Sequence, residues 1–362
     1  MNLTTLMRGN IPHREIDARL CIKFSESMHD SLGHGSGKND AMALDTLVMA
    51  SMTNGYVEGS SQLTGSCGQT VRSHLRDGNP YLLLQINHDL ISTLRETGML
   101  RKPLIVAMDW HDEMYYGDSG TEGITGTRNS RGTNYAYEYV TASIVVKGMR
   151  FVIAVEPVSD RIILGMVSGL LEIVRSVGIG IGMLLMDGGF FSIDAINYLI
   201  RAGVPFIMHA PKLRNACGPN ETDELYTTRS HRRRRGEQAT FRMVSVHGKD
   251  RGGKTVLYVF ATDTSLPPAS ILRYFRKRWG IETGYRMIRK FLAKTTSRRY
   301  SARLLYFYFA ILLYNLWVLL NLRSRTRIIA DVLRAFVASN LVKENPFIIK
   351  LQLENKASGG EF

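Results

Sequence analysis

Three acidic residues of this 362-residue chain sit where their neighbours could make them ligands. Asp109 closes the apolar run Leu104-Ile105-Val106-Ala107-Met108. Asp187 closes Gly182-Met183-Leu184-Leu185-Met186, ahead of Gly188-Gly189-Phe190. Glu282 is the only acid between Arg273 and Arg303 in a strongly basic stretch. Short apolar runs read as buried strands, and a carboxylate at the end of one lies at the carboxyl edge of a sheet, where open α/β sheets put their sites. Burying that charge is costly unless it is paired or metal-bound. Hard cations such as Mg²⁺ take oxygen ligands. Two of them about 4 Å apart can activate an attacking oxygen and stabilise a leaving one at a phosphodiester. Asp109, Asp187 and Glu282 are therefore the candidate catalytic and metal ligands, for two Mg²⁺ or Mn²⁺ ions per site. His111, Asp112 and Asp118 read as loop residues, with Asp112 in reserve should Asp109 prove wrong.

The elements that must hold these residues follow from periodicity. Residues 1–100 read as mostly helical, with a Gly/Ser/Asp loop over 30–40 and helical spacing over 41–51. Residues 57–75 suggest a helix, a glycine turn and a second helix carrying Gln69, Thr70, Arg72 and Ser73. Either a helix-turn-helix with an exposed polar face or an ordinary helical hairpin fits. From 101 the pattern turns to strands: 104–109, then 137–147 and 150–157 split by Gly148-Met149, a helix over 162–177, a strand over 182–187, a helix over 192–201 and a strand over 204–210. That order, β-β-β-α-β-α-β, is the one found in ribonuclease H-like domains, which carry carboxylates on their first and fourth strands. Residues 211–266 read as a β-rich insertion with strands at 240–246 and 255–262, and a helix starts near 270. The expected organisation is a helical N-terminal region (1–100), a catalytic domain (101–322) and a C-terminal helix and tail (323–362).

The formal net charge is +14 and the pI about 9.7, which favours a polyanionic partner. Cys21, Cys67 and Cys217 are far apart, so neither a zinc site nor a disulfide framework is expected and a reducing cytoplasm fits. The N-terminus shows no secretory signal. Residues 304–322 carry no charge and approach the length of a membrane span, but the reading preferred is a helix buried on all sides, and no membrane is expected as partner. Residues 248–255 match Gly-x4-Gly-Lys-Thr, a phosphate-loop pattern that needs a helix after the Lys-Thr. A β-rich run follows instead, so the segment reads as a hairpin turn and ATP is not expected.

Three motifs resemble the DDE-type insertion-sequence transposases whose third acid lies in a Tyr-x2-Arg-x3-Glu-x6-Lys signature. Arg278-x3-Glu282 has that spacing, Asp187-Gly188-Gly189-Phe190 is similar to the second-acid box, and Asp109-Trp110 with Tyr115-Tyr116-Gly117-Asp118 is similar to the first-acid region, especially of archaeal members. The resemblance covers roughly residues 100–322. Phe275 stands at the tyrosine position and Arg289 at the lysine position, with Lys290 beside it. The resemblance implies contact with DNA near the cleavage site by Phe275 and Arg289. On an ideal helix Arg278, Glu282, Arg286 and Arg289 share a face, and the one-sided charge favours DNA phosphate. Arg232, Arg233, Arg234 and Arg235 read either as a further phosphate grip or as a solvated loop. The resemblance implies a cut-and-paste DNA transposase acting on double-stranded DNA, both its terminal inverted repeats and its target, as a homodimer assembled on that DNA and associated with the nucleoid. A ribonuclease H-like nuclease without strand transfer and an inactive DNA-binding relative are the alternatives.

Overall fold

The computed structural model describes residues 38–77, 82–130, 132–146, 148–211, 220–228, 237–250, 252–324 and 327–343. In chain order these form helices α1 (Lys38–Thr53), α2 (Val57–Thr64), α3 (Gly68–Asp77) and α4 (Leu82–Glu96), then strands β1 (Leu104–Tyr115), β2 (Thr125–Ser130), β3 (Thr133–Val146) and β4 (Met149–Pro157). Next come α5 (Ile163–Ser176), β5 (Ile181–Met186), α6 (Ile193–Arg201), β6 (Phe206–His209), β7 (Thr222–Thr227), β8 (Thr240–Lys249) and β9 (Thr255–Thr262). After these come α7 (Pro268–Arg276), α8 (Gly280–Ile288), α9 (Tyr300–Arg323) and α10 (Ala330–Lys343). They fall into two compact units, one of residues 1–96 with 285–362, the other Thr97–Gly284. This differs from the expected boundary at 322. The C-terminal helices pack with the N-terminal ones, α9 on α4 and α10 on α1, because their apolar residues find their core partners there.

In the helical unit α1, α2 and α3 pack on one another. Gly65 at φ +72° ends α2 in the left-handed conformation, and α3 leaves Gln69, Thr70, Arg72 and Ser73 exposed. Helix α9 has no polar stripe and is buried from Leu304 to Leu320. It is the charge-free segment, and 94% of its most apolar window is buried inside the protein. An all-round apolar helix is stable in water only when covered like this. Its polar side chains are satisfied internally: Asn315 Nδ2 donates to Asn87 Oδ1 at 2.7 Å and Trp317 Nε1 to the Ile328 carbonyl at 2.9 Å.

The second unit is built on one mixed sheet, nine-stranded among the described residues, ordered β2-β3-β1-β5-β6-β9-β8-β7 with β4 also on β3. β1, β5 and β6 are parallel, and β1-β3 and β3-β4 are antiparallel. The β3–β4 hairpin turns at Gly148, φ +77°. Helix α5 buries Met166, Val167, Leu170, Leu171 and Val174, a 3.6-residue stripe, against β3 and β4. Ser192 caps α6 by accepting from the Ala195 amide. The insertion does not form a separate lobe: β9 pairs antiparallel with β6 and prolongs the sheet. The phosphate-loop lookalike is the β8–β9 turn. Asp250 Oδ1 accepts the amides of Gly252 and Lys254, Gly253 takes φ +79°, and strand rather than helix follows Lys254.

Candidate active site

Asp109 does not end its strand, contrary to expectation. β1 runs on to Tyr115, because residues 109–115 stay paired with β3, from Asp109 opposite Thr141 to Tyr115 opposite Tyr135. What ends is the other side: the parallel register with β5 stops at Met108 opposite Met186. One step further along both strands stand Asp109 and Asp187. The sheet thus splits at the two carboxylates, at the carboxyl end of β5, the place where crevices form in open α/β sheets.

Asp109 is 7% exposed. Its Oδ1 accepts the Trp110 amide at 2.9 Å and its Oδ2 accepts Arg278 Nη1 at 2.9 Å. Asp187 caps the 3₁₀ turn Gly188–Phe190, its Oδ1 accepting the Gly188 amide at 2.8 Å. The same oxygen lies 3.5 Å from Arg278 Nη2. One guanidinium, itself 8% exposed, therefore faces both carboxylates. It comes from the 3₁₀ turn Lys277–Trp279 that follows α7. The two glycines after Asp187 allow close approach. A Cβ on Gly189 would lie 2.8 Å from Trp110 Nε1, and one on Gly188 3.1 Å from His209 Nδ1.

Phe275 is 2% exposed. Its ring stacks on His209 (centroids 6.0 Å, 26°), meets Phe260 at 4.9 Å and lies 5.1 Å below Arg278 Cζ. It is a floor under the site, not a surface for a base; the aromatic neighbours supplied by β6 and β9 draw it inward. His209, at the end of β6, was not singled out in the sequence, although a histidine closing the strand beside Asp187's is a usable signal. Burial pushes its pKa below the ordinary histidine value; the Asp187 charge opposes this shift and the Arg278 charge adds to it.

A cleft of about 450 Å³ opens beside Asp187, lined among others by Trp110, Asp112, Thr127, Glu138 and Arg161. Asp112 faces this cleft and accepts Thr127 Oγ1 at 3.3 Å. Asp112 and His111 are strand residues, not loop residues as expected, and His111 pairs with Glu113.

A sequence pattern for the family described as "Transposase DDE domain" matches residues 125–316, more than half of the chain. The chain belongs to the transposase DDE domain family. The matched segment holds Asp187 and Glu282 and begins after Asp109. No curated protein matches the chain. Seven chains of solved structures do. One belongs to a cryo-EM structure of the piggyBac transposase synaptic complex with hairpin DNA, at 14% identity, a TM-score of 0.54 and coverage of 97% of this chain and 81% of that one. Likeness at that identity shows a shared mixed α/β fold.

In this transposase the basic stretch is not the single helix that would align Arg278, Glu282, Arg286 and Arg289. It is broken into α7, a 3₁₀ turn, α8 and a further 3₁₀ turn at Arg289–Phe291. Glu282 lies in α8, but its side chain is outside the described residues. Arg232, Arg233, Arg234 and Arg235 are outside them altogether. Arg286, Arg289 and Lys290 belong to the helical unit. There Arg286 is exposed, Arg289 is half-buried, and Lys290 is half-buried and paired with Asp331 of α10. Among the described residues no three His, Cys, Asp or Glu side chains gather as a metal site. The donor set nevertheless suits a hard divalent cation: two carboxylates already converge on one positive group, and a third acid follows Arg278 by four residues.

Proposed function

We propose that this transposase cuts DNA at the ends of its own element and joins the freed 3′ ends to target DNA, with Asp109, Asp187 and Glu282 holding Mg²⁺ or Mn²⁺. One observation carries the reading: the β1–β5 register brings Asp109 and Asp187 side by side, both facing the Arg278 guanidinium. The strand order β4-β3-β1-β5-β6 supports a ribonuclease H-like core, and the Arg278-x3-Glu282 spacing supports the Tyr-Arg-Glu-Lys signature class. Bound metal would supply charge for the attacking and leaving oxygens of the phosphodiester. The chain's own part is positional. The amides of Trp110 and Gly188 each hold one oxygen of a carboxylate, which fixes the carboxylates' orientation. Beneath them Phe275 is buried under the Arg278 guanidinium and stacks on His209.

Double-stranded DNA, as terminal inverted repeats and as target, is the proposed partner, bound by a dimer because two ends must be joined. The helical unit offers a surface for it. The exposed face of α3 and the segment 294–299 line a cleft of about 310 Å³ that includes Gln69, Arg72, Ser73, Lys294 and Arg299. Arg72 is held by Glu58, which also lines the cleft, at 2.9 Å and by Gln69 at 2.8 Å. Such cations give affinity through backbone phosphate.

The test uses purified protein, Mg²⁺ or Mn²⁺, and a labelled duplex carrying the element's end with flanking DNA, with Asp187→Asn alongside. Cleavage at the element boundary by the wild type and not by the variant is the expected result. Equal cleavage by both removes Asp187 from the chemistry; cleavage without joining to an added target duplex identifies a nuclease.

A further inference from the structure

The grip of Arg278 on the two aspartates differs from how other arginines of the same unit hold their acids. Arg161 takes Glu138 through Nε and Nη2 together, at 3.2 and 2.5 Å, and Arg242 takes Asp223 through the same pair of donors, at 2.7 and 2.6 Å. That two-pronged geometry is the strong one for a guanidinium and a carboxylate. Arg278 instead divides its fork. One arm makes a 2.9 Å hydrogen bond to Asp109; the other stands 3.5 Å from Asp187, too long for a good hydrogen bond. Its Nε is buried and finds no hydrogen-bond partner among the described residues. A buried donor without an acceptor is unfavourable. The planar group spans two acids rather than satisfying one, and it lies where a cation shared by both would lie.

From this geometry we infer that Arg278 is a placeholder: it neutralises Asp109 and Asp187 while no metal is bound, and it must withdraw before a divalent cation can take both. The inference rests on the proposal that these aspartates are metal ligands. Physical chemistry favours the exchange. Without any cation the two adjacent carboxylates would repel one another. Mg²⁺ brings two charges to about 2.0–2.1 Å from oxygen, closer than either arm of the arginine. Arg278 holds Asp109 Oδ2 and faces Asp187 Oδ1, so a cation that took these two oxygens would have to displace it. The Phe275 ring under the guanidinium supplies a face for it in the closed position. In this role Arg278 is a positioning residue, keeping the ligands in register until metal arrives and setting how much metal is needed.

The experiment titrates Mn²⁺ into metal-stripped full-length protein, following free Mn²⁺ by electron paramagnetic resonance, and melts the same samples in EDTA. Wild type, Arg278→Gln, Arg278→Lys and Asp187→Asn are compared. A lock closed ~90% of the time weakens apparent affinity about tenfold. Arg278→Gln is therefore expected to bind Mn²⁺ about tenfold more tightly than wild type, yet to melt lower in EDTA. Arg278→Lys, with one shorter point charge, is expected between the two. Affinity in Arg278→Gln equal to or weaker than wild type, with Asp187→Asn abolishing binding, overturns the placeholder while leaving the metal site standing. If wild type binds no Mn²⁺ that depends on Asp187, the metal site fails and the placeholder with it. Should Arg278→Gln not fold in EDTA, the lysine variant decides alone: wild-type affinity there overturns the inference.

Discussion

Phe275 is the residue on which the resemblance and the structure make opposite demands. If it stacks on DNA, removing the ring weakens binding and leaves the fold intact. As described here it is core: 2% exposed, wedged between His209 and Phe260 beneath Arg278. Phe275→Ala then costs about 3–5 kcal/mol for the ring and its cavity, plus about 0.5–2 kcal/mol where the Arg278 guanidinium loses its aromatic face. At roughly 2–4 °C per kcal/mol for a unit of this size, the ring term alone lowers the melting temperature by about 6–20 °C. Phe275→Leu, which refills part of the volume, should recover more than half. The assay is thermal denaturation of the full chain, followed by near-ultraviolet circular dichroism, with DNA affinity measured well below the transition and at two salt concentrations. A fall of under about 2 °C for Phe275→Ala, together with a clear loss of DNA affinity, would refute the assignment of this ring to the core.

Three further outcomes follow from the same geometry. Gly189→Ala puts a methyl group 2.8 Å from Trp110 Nε1 and should cost about 1–3 kcal/mol as overpacking; calorimetry checks it against Gly126→Ala, where nothing lies within 4 Å. Burial holds His209 below its ordinary pKa, so on acidification the unfolded chain takes up that proton first; stability should fall as pH drops through about 6.5 and level off below the folded pKa. His209→Phe should remove that component, which denaturant titrations at pH 5 and pH 8 would detect. Asn315→Leu leaves Asn87 without its 2.7 Å partner inside the helical unit and should cost about 1–3 kcal/mol; the double variant with Asn87→Leu should recover much of it.

The candidate site was legible in the sequence wherever its residues ended or interrupted a strong pattern. Asp109 and Asp187 stand out because apolar strand runs lead into them, and both reach the same cation. The exact extent of β1 was not legible. Trp110-His111-Asp112-Glu113-Met114-Tyr115 looks like loop by composition, but its alternation suits a strand paired with β3 alone, with one side open. β7 was missed for a related reason: Thr222–Thr227 is an exposed edge strand carrying Asp223 and Glu224, as edge strands do. The buried helix α9 was evident, since an uncharged run flanked by Arg303 and Arg323 has few other uses. Which helices it joins was not evident, because the pairing of residues 285–343 with 38–96 depends on contacts far apart in sequence. Of the face drawn through Arg278, Glu282, Arg286 and Arg289, only Glu282 and Arg286 share α8; Arg278 and Arg289 fall in the 3₁₀ turns on either side, and nothing in a basic composition marks those turns.

The insertion gives a physical reason for the long interval between Asp187 and Glu282. β6 runs parallel to β5 and so ends, at His209, on the same edge as Asp187. A chain leaving there is on the correct side of the sheet but has no element to carry an arginine back over the carboxylates. β9 returns antiparallel to β6, with Thr262 opposite Ile207, and so ends at the far edge. Helix α7, starting at Pro268, can then run back toward the site, packing on β6 and β8 on the way. Its nine residues rise about 13 Å, comparable with four residues of strand at about 3.3 Å each. The helix therefore delivers Phe275 onto His209 and, one 3₁₀ turn later, Arg278 between the aspartates. On this reasoning the inserted strands are not an ornament on the core. They set the direction of α7, and shortening them by an odd number of strands would point Arg278 and the helix that bears Glu282 away from Asp109 and Asp187.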